Sequence, residues 1–161
     1  MTPTTIPTEP AHVDELIANA AQADRKEVEV LFAGGMPFDQ GVRFSIDTAH
    51  EAWTVLNAEG EVMAIYGCSQ SAEALDQGNP WMTSVEADRF TPAVIRELIT
   101  TGRQKIAGWL ERWTVLTNAM WPGNQAHVRF NQMMGFTQRT VEARTAGGGP
   151  IEVIVFELKR G

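Results

Sequence analysis

The chain has 161 residues, 43% hydrophobic and 20% charged, enough for one domain with a real core and too short for two by default. Its formal net charge of -7 and pI near 4.9 argue against a nucleic-acid surface, which needs clustered Lys and Arg to displace counterions, so any partner is expected to be basic or small. The single cysteine, Cys68, leaves no disulfide framework and no thiolate zinc site. With no apolar run of about 18 residues and no leader pattern in "MTPTTIPTEP", the sequence predicts a cytoplasmic chain without a membrane segment.

In chain order, Thr4 to Ile6 reads as a short strand. Pro10 to Ala23 reads as a helix, because Val13, Leu16, Ile17 and Ala20 recur at helical spacing and Asp14 and Glu15 are placed in its first turn. "ADRKEVEVLF", Ala23 to Phe32, is a charged exit from that helix. "AGGMPFDQG" breaks the pattern, and Pro37 to Ala49 forms a second helix interrupted by Gly41 and the Phe44 to Ile46 run. From Glu51 the period becomes two, with "EAWTVLN" and "EVMAIYGCS" as a hairpin about "AEG". "PWMTSVEAD" is a further strand, opened by the turn signal "DQGNP". Thr91 and Pro92 start a long helix to Arg112, a capping hydroxyl followed by a residue with no N–H to satisfy. Its core stripe is Ile95, Leu98, Gly102, Ile106, Trp109 and Trp113, with Gly102 permitting a close neighbour. "TVLTNAMW" is a strand, Trp121 to Phe136 a short helix, and "TQRTVEAR" and "IEVIVFELK" two strands about the "TAGGGP" turn. The order β, α, (α), β, β, β, α, β, α, β, β predicts an α/β protein, an α+β sandwich on a mixed sheet.

The short helix, "WPGNQAHVRFNQMMGF", carries most of the chemistry. It is expected to begin at Gly123 and Asn124, to bury Ala126, Phe130 and Met133, and to end at Gly135 with positive φ. Asn124, His127 and Asn131 then share the opposite stripe. Asn124 reads either as a helix cap or as a polar group facing a ligand. His127 reads either as a packed histidine or as a group that moves a proton near neutral pH. His12 and His50 have no companions at metal-ligand spacing, so no metal is expected. Trp109 and Trp113 belong to the core, while Trp53, Trp81 and Trp121, on strands or strand ends, are candidates for a cleft wall as well as for the core.

The element order, and the run Asn124, Gly135, Phe136 after the fifth strand, resemble the GNAT (Gcn5-related N-acetyltransferase) superfamily over nearly the whole chain, with Asn131 where a tyrosine is usual. The "W-x-G-N-x-x-H-x-R-F" run from Trp121 to Phe130 is similar to small GNAT-like proteins of tailed phages, including internal virion and virion-assembly proteins of the T7 group. The resemblance implies a single domain over residues 1–161, a mostly antiparallel mixed sheet with helices on both faces, and acetyl-CoA as co-substrate between the fourth and fifth strands. It places the pyrophosphate at the start of the long helix, "EADRFTPAV", where free amides and the helix dipole favour an anion. By the same resemblance Arg89, Phe90, Thr91, Ala93, Val94, Asn124 and Asn131 bind the cofactor, and Glu86 and His127 are catalytic. Pro92 replaces a glycine of the usual loop and donates no hydrogen bond. Glu86, taken to end the fourth strand, would accept a proton from the attacking ammonium, or is an exposed strand-end charge. Asn131 hydrogen-bonds but cannot protonate a leaving thiolate as a tyrosine would. Asp24, Glu27 and Glu29 are placed to attract a basic amine. Two functions follow. One is a phage N-acetyltransferase acting on an amine of a host protein in the host cytoplasm; the other is a protein of that fold without the chemistry, acting in virion assembly or by binding a host protein.

Overall fold

The computed structural model describes residues 1–31, 35–145 and 148–161; Phe32, the break expected at Ala33 and Gly34, and the Ala146–Gly147 part of the glycine turn lie outside the described residues. The chain forms β1 (Thr4–Pro7), α1 (Pro10–Asn19), α2 (Gln22–Leu31), α3 (Phe38–Asp47), β2 (Ala49–Leu56), β3 (Val62–Gln70), β4 (Gln77–Ser84), α4 (Pro92–Arg112), β5 (Val115–Met120), α5 (Gln125–Met133), β6 (Thr137–Arg144) and β7 (Pro150–Lys159). The seven strands make one sheet in the order β1-β2-β3-β4-β5-β7-β6. All pairings are antiparallel except β4 with β5, which α4 connects as a crossover. The fold is the expected α/β class, a mostly antiparallel mixed sheet with helices.

The long helix has the expected bounds, but its buried row is Val94, Leu98, Gly102 and Trp109, with Trp113 at its end; Ile95 is 41% exposed. The first helix is shorter than expected. It stops at Asn19 because Ala20 bridges Val85 and the Ala21 N–H donates to Ser84 O at 2.9 Å, drawing the chain onto the end of β4. What reads in sequence as a charged exit is therefore a separate helix, α2. Asp14 and Glu15 lie beyond the first turn of α1: Asp14 meets Arg43 at 2.8 Å, and Glu15 Oε2 accepts the Val62 N–H at 2.6 Å. Gly135 ends the short helix at φ 93° as expected, but α5 buries His127 and Met134 while Met133 is 50% exposed. The buried stripe is rotated by one position from the expected one.

β3 is the centre of the core, buried continuously from Val62 to Cys68. α4 covers one face, where Tyr66 donates to Thr101 Oγ1 at 2.9 Å and the Trp109 indole N–H to Glu51 Oε1 at 2.6 Å. β4 and β5 pair only at Gln77/Val115 and Gly78/Leu116, then part. Side-chain amides bridge the first step of the gap: Asn79 donates to Thr117 O at 2.7 Å and Asn118 to Pro80 O at 3.0 Å. Gly78 shapes the vertex. A Cβ there would stand 2.7 Å from Trp113 Cε3 and 2.9 Å from Cys68 Sγ, so only glycine lets the Trp113 ring close the vertex from below.

The two buried glycines of this region should respond oppositely to alanine. Gly78→Ala is expected to destabilise the fold by about 1–3 kcal/mol through overpacking. At Gly102 a Cβ would meet Phe130 and Met134 at 3.5 and 3.6 Å, ordinary contact, so this helical site does not need glycine. Gly102→Ala is expected to be neutral or to stabilise by up to about 1 kcal/mol. Chemical denaturation of the two variants measures both.

Candidate active site

Beyond the vertex, strand alternation turns the backbone groups of Pro80, Met82 and Ser84 toward β5, and those of Thr117, Ala119 and Trp121 toward β4. Pro80 has no N–H, and its carbonyl is taken by Asn118. At the wide end the two edges are held by two carboxylates one turn apart on α2. Asp24 Oδ2 accepts the Ser84 N–H at 2.6 Å, and Glu27 Oε2 accepts the Trp121 N–H at 2.8 Å. Asn124, fully buried, donates to Asp24 Oδ1 at 2.8 Å and reaches Glu27 Oε1 at 3.4 Å. His127 Nε2 lies 3.2 Å from Ser84 Oγ and 3.3 Å from Asp24 Oδ1. Asp24, Ser84, Asn124 and His127 are all buried, so this is a satisfied polar network inside the opened sheet. Between its two ends, Met82 is the position of β4 whose edge groups face the gap without a strand or side chain paired to them.

Two hollows adjoin the network. The larger, about 450 Å³, lies between the end of β4, the first turns of α4 and the α5 helix; Ser84, Phe90, Leu98, Asn124, Arg129 and Met133 are among its walls. The smaller, about 110 Å³, passes between β4 and β5 and is lined by Trp81, Asn118, Asn131, Trp109 and Glu27 among others. They share Met82, His127 and Phe130. Of Trp53, Trp81 and Trp121, Trp81 alone lines either hollow; Trp53 lies under the Lys105 ammonium, 3.3 Å from its ring centroid.

The larger hollow brings four of the expected site residues together, Glu86, Phe90, Asn124 and His127, while Arg89, Thr91, Ala93, Val94 and Asn131 are not in its lining. His127 and Asn124 come together in the network, and Asn131 faces the smaller hollow with its amide 4.0 Å from Met120 Sδ. Asn124 sits at the cap position of α5, yet its side chain makes no capping bond. At the start of α4, Phe90 lines the larger hollow, while Thr91 Oγ1 accepts the Val94 N–H at 3.3 Å. With Pro92 lacking an N–H and Val94 fully buried with its amide engaged, Val94 does not offer the expected anion contact, and Ala93 supplies the remaining amide of the first turn. Arg89 is exposed, with Nη2 3.5 Å from Glu61 Oε2. Glu86 does not end β4. The strand stops at Ser84, and Glu86 Oε1 accepts the Gln22 N–H at 2.6 Å, satisfying the start of α2. Glu29 is exposed beside Lys26, whereas Asp24 and Glu27 belong to the network.

Sequence reasoning missed Ser84, Met82 and Arg129. Arg129 was detectable as a lone basic residue on a helix of interest in an acidic chain; nothing local marks Ser84 or Met82. Burial raises the Glu27 carboxyl above the ordinary value of 4.5, with the Asp24 charge adding to the rise and His127, Trp121 and Asn124 opposing it. Burial likewise pushes the Cys68 thiol up to about 12, Glu51 adding to the rise, which leaves it protonated near neutral pH.

A carboxyl whose pKa is raised by folding contributes stability below its unfolded pKa and loses it as pH rises through the folded value. Glu27→Gln removes that titration. The stability of this variant relative to wild type is expected to grow as pH rises from the ordinary carboxyl value of 4.5 through the raised folded value, and melting temperatures measured upward from there check the sign.

No protein-family model and no curated protein sequence matches the chain. Solved structures do. An N-acetyltransferase from Staphylococcus aureus Mu50 superposes with a TM-score of 0.70 at 11% identity, over 99% of this chain and 99% of that one. A GCN5-related N-acetyltransferase from Kribbella flavida gives 0.68 at 16% identity, over 99% and 98%. Spermidine N-acetyltransferase from Vibrio cholerae, in complex with CoA and spermine, gives 0.66 at 13% identity, over 98% and 95%. Among the described residues no helix is long and apolar enough to cross a membrane. The chain has the fold of these GNAT-like acetyltransferase structures, a seven-stranded, mostly antiparallel sheet with helices.

Proposed function

We propose that the protein is an acyl-CoA-dependent N-acetyltransferase, moving acetyl from acetyl-CoA to an amine. One observation carries the reading: two hollows approach the opened sheet and meet at a wall of Met82, His127 and Phe130. A donor in the larger and an acceptor in the smaller reach the same point, which is what a direct transfer needs. The residues present fit an acyl-CoA. Its pantetheine amides have the exposed edge of β4 at Met82 to pair with, its apolar stretches have the walls of Phe90, Leu98 and Phe130, and its phosphates have the Ala93 amide and the Arg129 guanidinium. The thioester supplies an activated acetyl group whose thiolate, with a pKa of about 8–9 like that of a free thiol, leaves with little help. Asn131 therefore needs only to hydrogen-bond there.

An amine attacks only after its ammonium loses a proton. His127 is the titratable side chain at the shared wall, and Asp24 fixes its Nε2. In this reading His127 manages a proton of the transfer, and Glu86, engaged at Gln22, does not. The likeness of the Trp121–Phe130 run to small phage proteins supports, within the same proposal, a host protein as the bearer of the acceptor amine. The shortage of amides at the start of α4 favours a second reading, a protein that keeps the fold and acts by binding a partner.

Acetyl-CoA at about 100 times its Kd is expected to add about 2.7 kcal/mol of stability in a thermal shift. No binding at millimolar concentration by calorimetry would leave the second reading. His127→Gln is expected to lower the transfer rate by about 10²–10⁴-fold with acetyl-CoA affinity nearly unchanged. Glu86→Gln is expected to lower stability and spare the rate, and kinetics paired with melting curves separate the two variants.

A further inference from the structure

Resting on the transferase reading, we propose that the smaller hollow is an acceptor subsite for one unbranched primary aminoalkyl arm, whose nitrogen is received by Glu27. Its volume of about 110 Å³ is several times the roughly 10–15 Å³ that one water needs, which gives room for a slender chain. Its walls suit methylenes: Trp81, Met82, Ile106, Trp109 and Phe130 surround it, and aromatic faces also attract a cation. Glu27 is the carboxylate in this lining.

The other titratable groups around Glu27 leave it free for a ligand. Asp24, on the same helix, is held by the Ser84 N–H, the Asn124 amide and His127 Nε2. His127, from α5, is turned to Asp24 and Ser84, and Tyr66, from β3, donates to Thr101. Glu27 gives Oε2 to Trp121, while Oε1 has only the long 3.4 Å contact with Asn124. Ala119, exposed on β5 and lining the same hollow, leaves the way in unobstructed.

The step balances without a further reactant. The ammonium gives one proton to the Glu27 carboxylate. The free amine attacks the thioester carbon, the C–N bond forms and the C–S bond breaks with its electron pair passing to sulfur. The second proton of the nitrogen neutralises the thiolate, and Glu27 returns its own to solvent. Here Glu27 takes the first proton and His127, at the wall shared by the two hollows, passes the second from the nitrogen to the thiolate, so the His127→Gln and Glu27→Gln rate losses need not be equal. The same arm occurs on a protein lysine and on a free diamine.

Calorimetry of 1,4-diaminobutane, with glucosamine as the bulky control, tests the subsite without requiring transfer. The full chain is expected to bind the diamine and not the amino sugar, and to lose that binding in Glu27→Gln and, by closure of the entry, in Ala119→Leu, which leaves the carboxylates untouched. A lack of diamine binding, equal binding of glucosamine, or unchanged binding in both variants overturns the proposal. With acetyl-CoA present, thiol release from a lysine peptide compared with that from the diamine identifies the source of the arm. The acetyl-CoA thermal shift of Ala119→Leu reports on the transferase reading separately, because Ala119 lies outside the larger hollow and outside the Asp24–Glu27 clamp.

Discussion

Two carboxylates one helical turn apart, Asp24 and Glu27, hold the ends of two strands that no longer touch each other. A sheet that splits in its interior leaves edge N–H groups facing neither a strand nor bulk water, and a buried amide without an acceptor costs about 1–3 kcal/mol. Closing the gap would satisfy those groups and abolish the opening. Clamping them from α2 satisfies them and keeps the strands apart. The rest of the site follows from this clamp. Asn124 ties α5 to both carboxylates, His127 is fixed by Asp24 and Ser84, and α1 must break at Ala20 so that α2 can start at the end of β4.

Such an arrangement is not what stability alone would select. A buried charge is tolerated only when hydrogen bonds replace its hydration, and apolar packing of the same volume is often at least as stable. Asp24 is fully engaged and so has the character of a structural anion. Glu27 is half-engaged and half-buried, and burial raises its pKa by disfavouring the charged form. The proposed transferase, which must take a proton from an ammonium, would use that kind of group, and stability given up at a functional carboxylate is the usual pattern of such sites.

The parts of the fold legible in the sequence are those whose signals are local. The Thr91–Pro92 start fixed α4, Gly135 fixed the end of α5, and the period-two runs about "AEG" marked the β2–β3 hairpin. α2 was not legible because its start has no local signature. The capping position is Ala21, and the acceptor for the Gln22 N–H is Glu86, 64 residues away. The same remoteness hid the site. Asp24 and Glu27 look like a solvated charged face, and only the pairing of Ala20 with Val85 turns that face inward. Conversely, Asn124 looked like a helix cap because it stands where one belongs; its amide is spent on Asp24, 100 residues away, instead. The exchange of Val94 for Ile95 in the buried row of α4 is a smaller matter of helix rotation that spacing alone cannot fix.

In the proposed transferase, the start of α4 shows how the two ends of a donor site would be weighted differently. A helix N-terminus that offers several free amides binds a phosphate through them and through its dipole. Here Thr91 Oγ1 occupies one amide, Pro92 removes another, and the guanidinium nearest in sequence, Arg89, is drawn toward Glu61. What remains is the Ala93 amide in the first turn of α4 and, in the wall of the hollow, Arg129. Phosphate recognition of this kind rests on solvent-facing charge, which salt screens over roughly 10 Å, whereas the contacts of an arm lying between Leu98, Phe130 and the edge of Met82 are apolar or dry. A ligand held mainly by its arm must thread the split sheet to be held at all. In the proposed transferase the clamp on α2 therefore governs binding as well as chemistry, since the width it sets between Ser84 and Trp121 is the width through which the arm would pass.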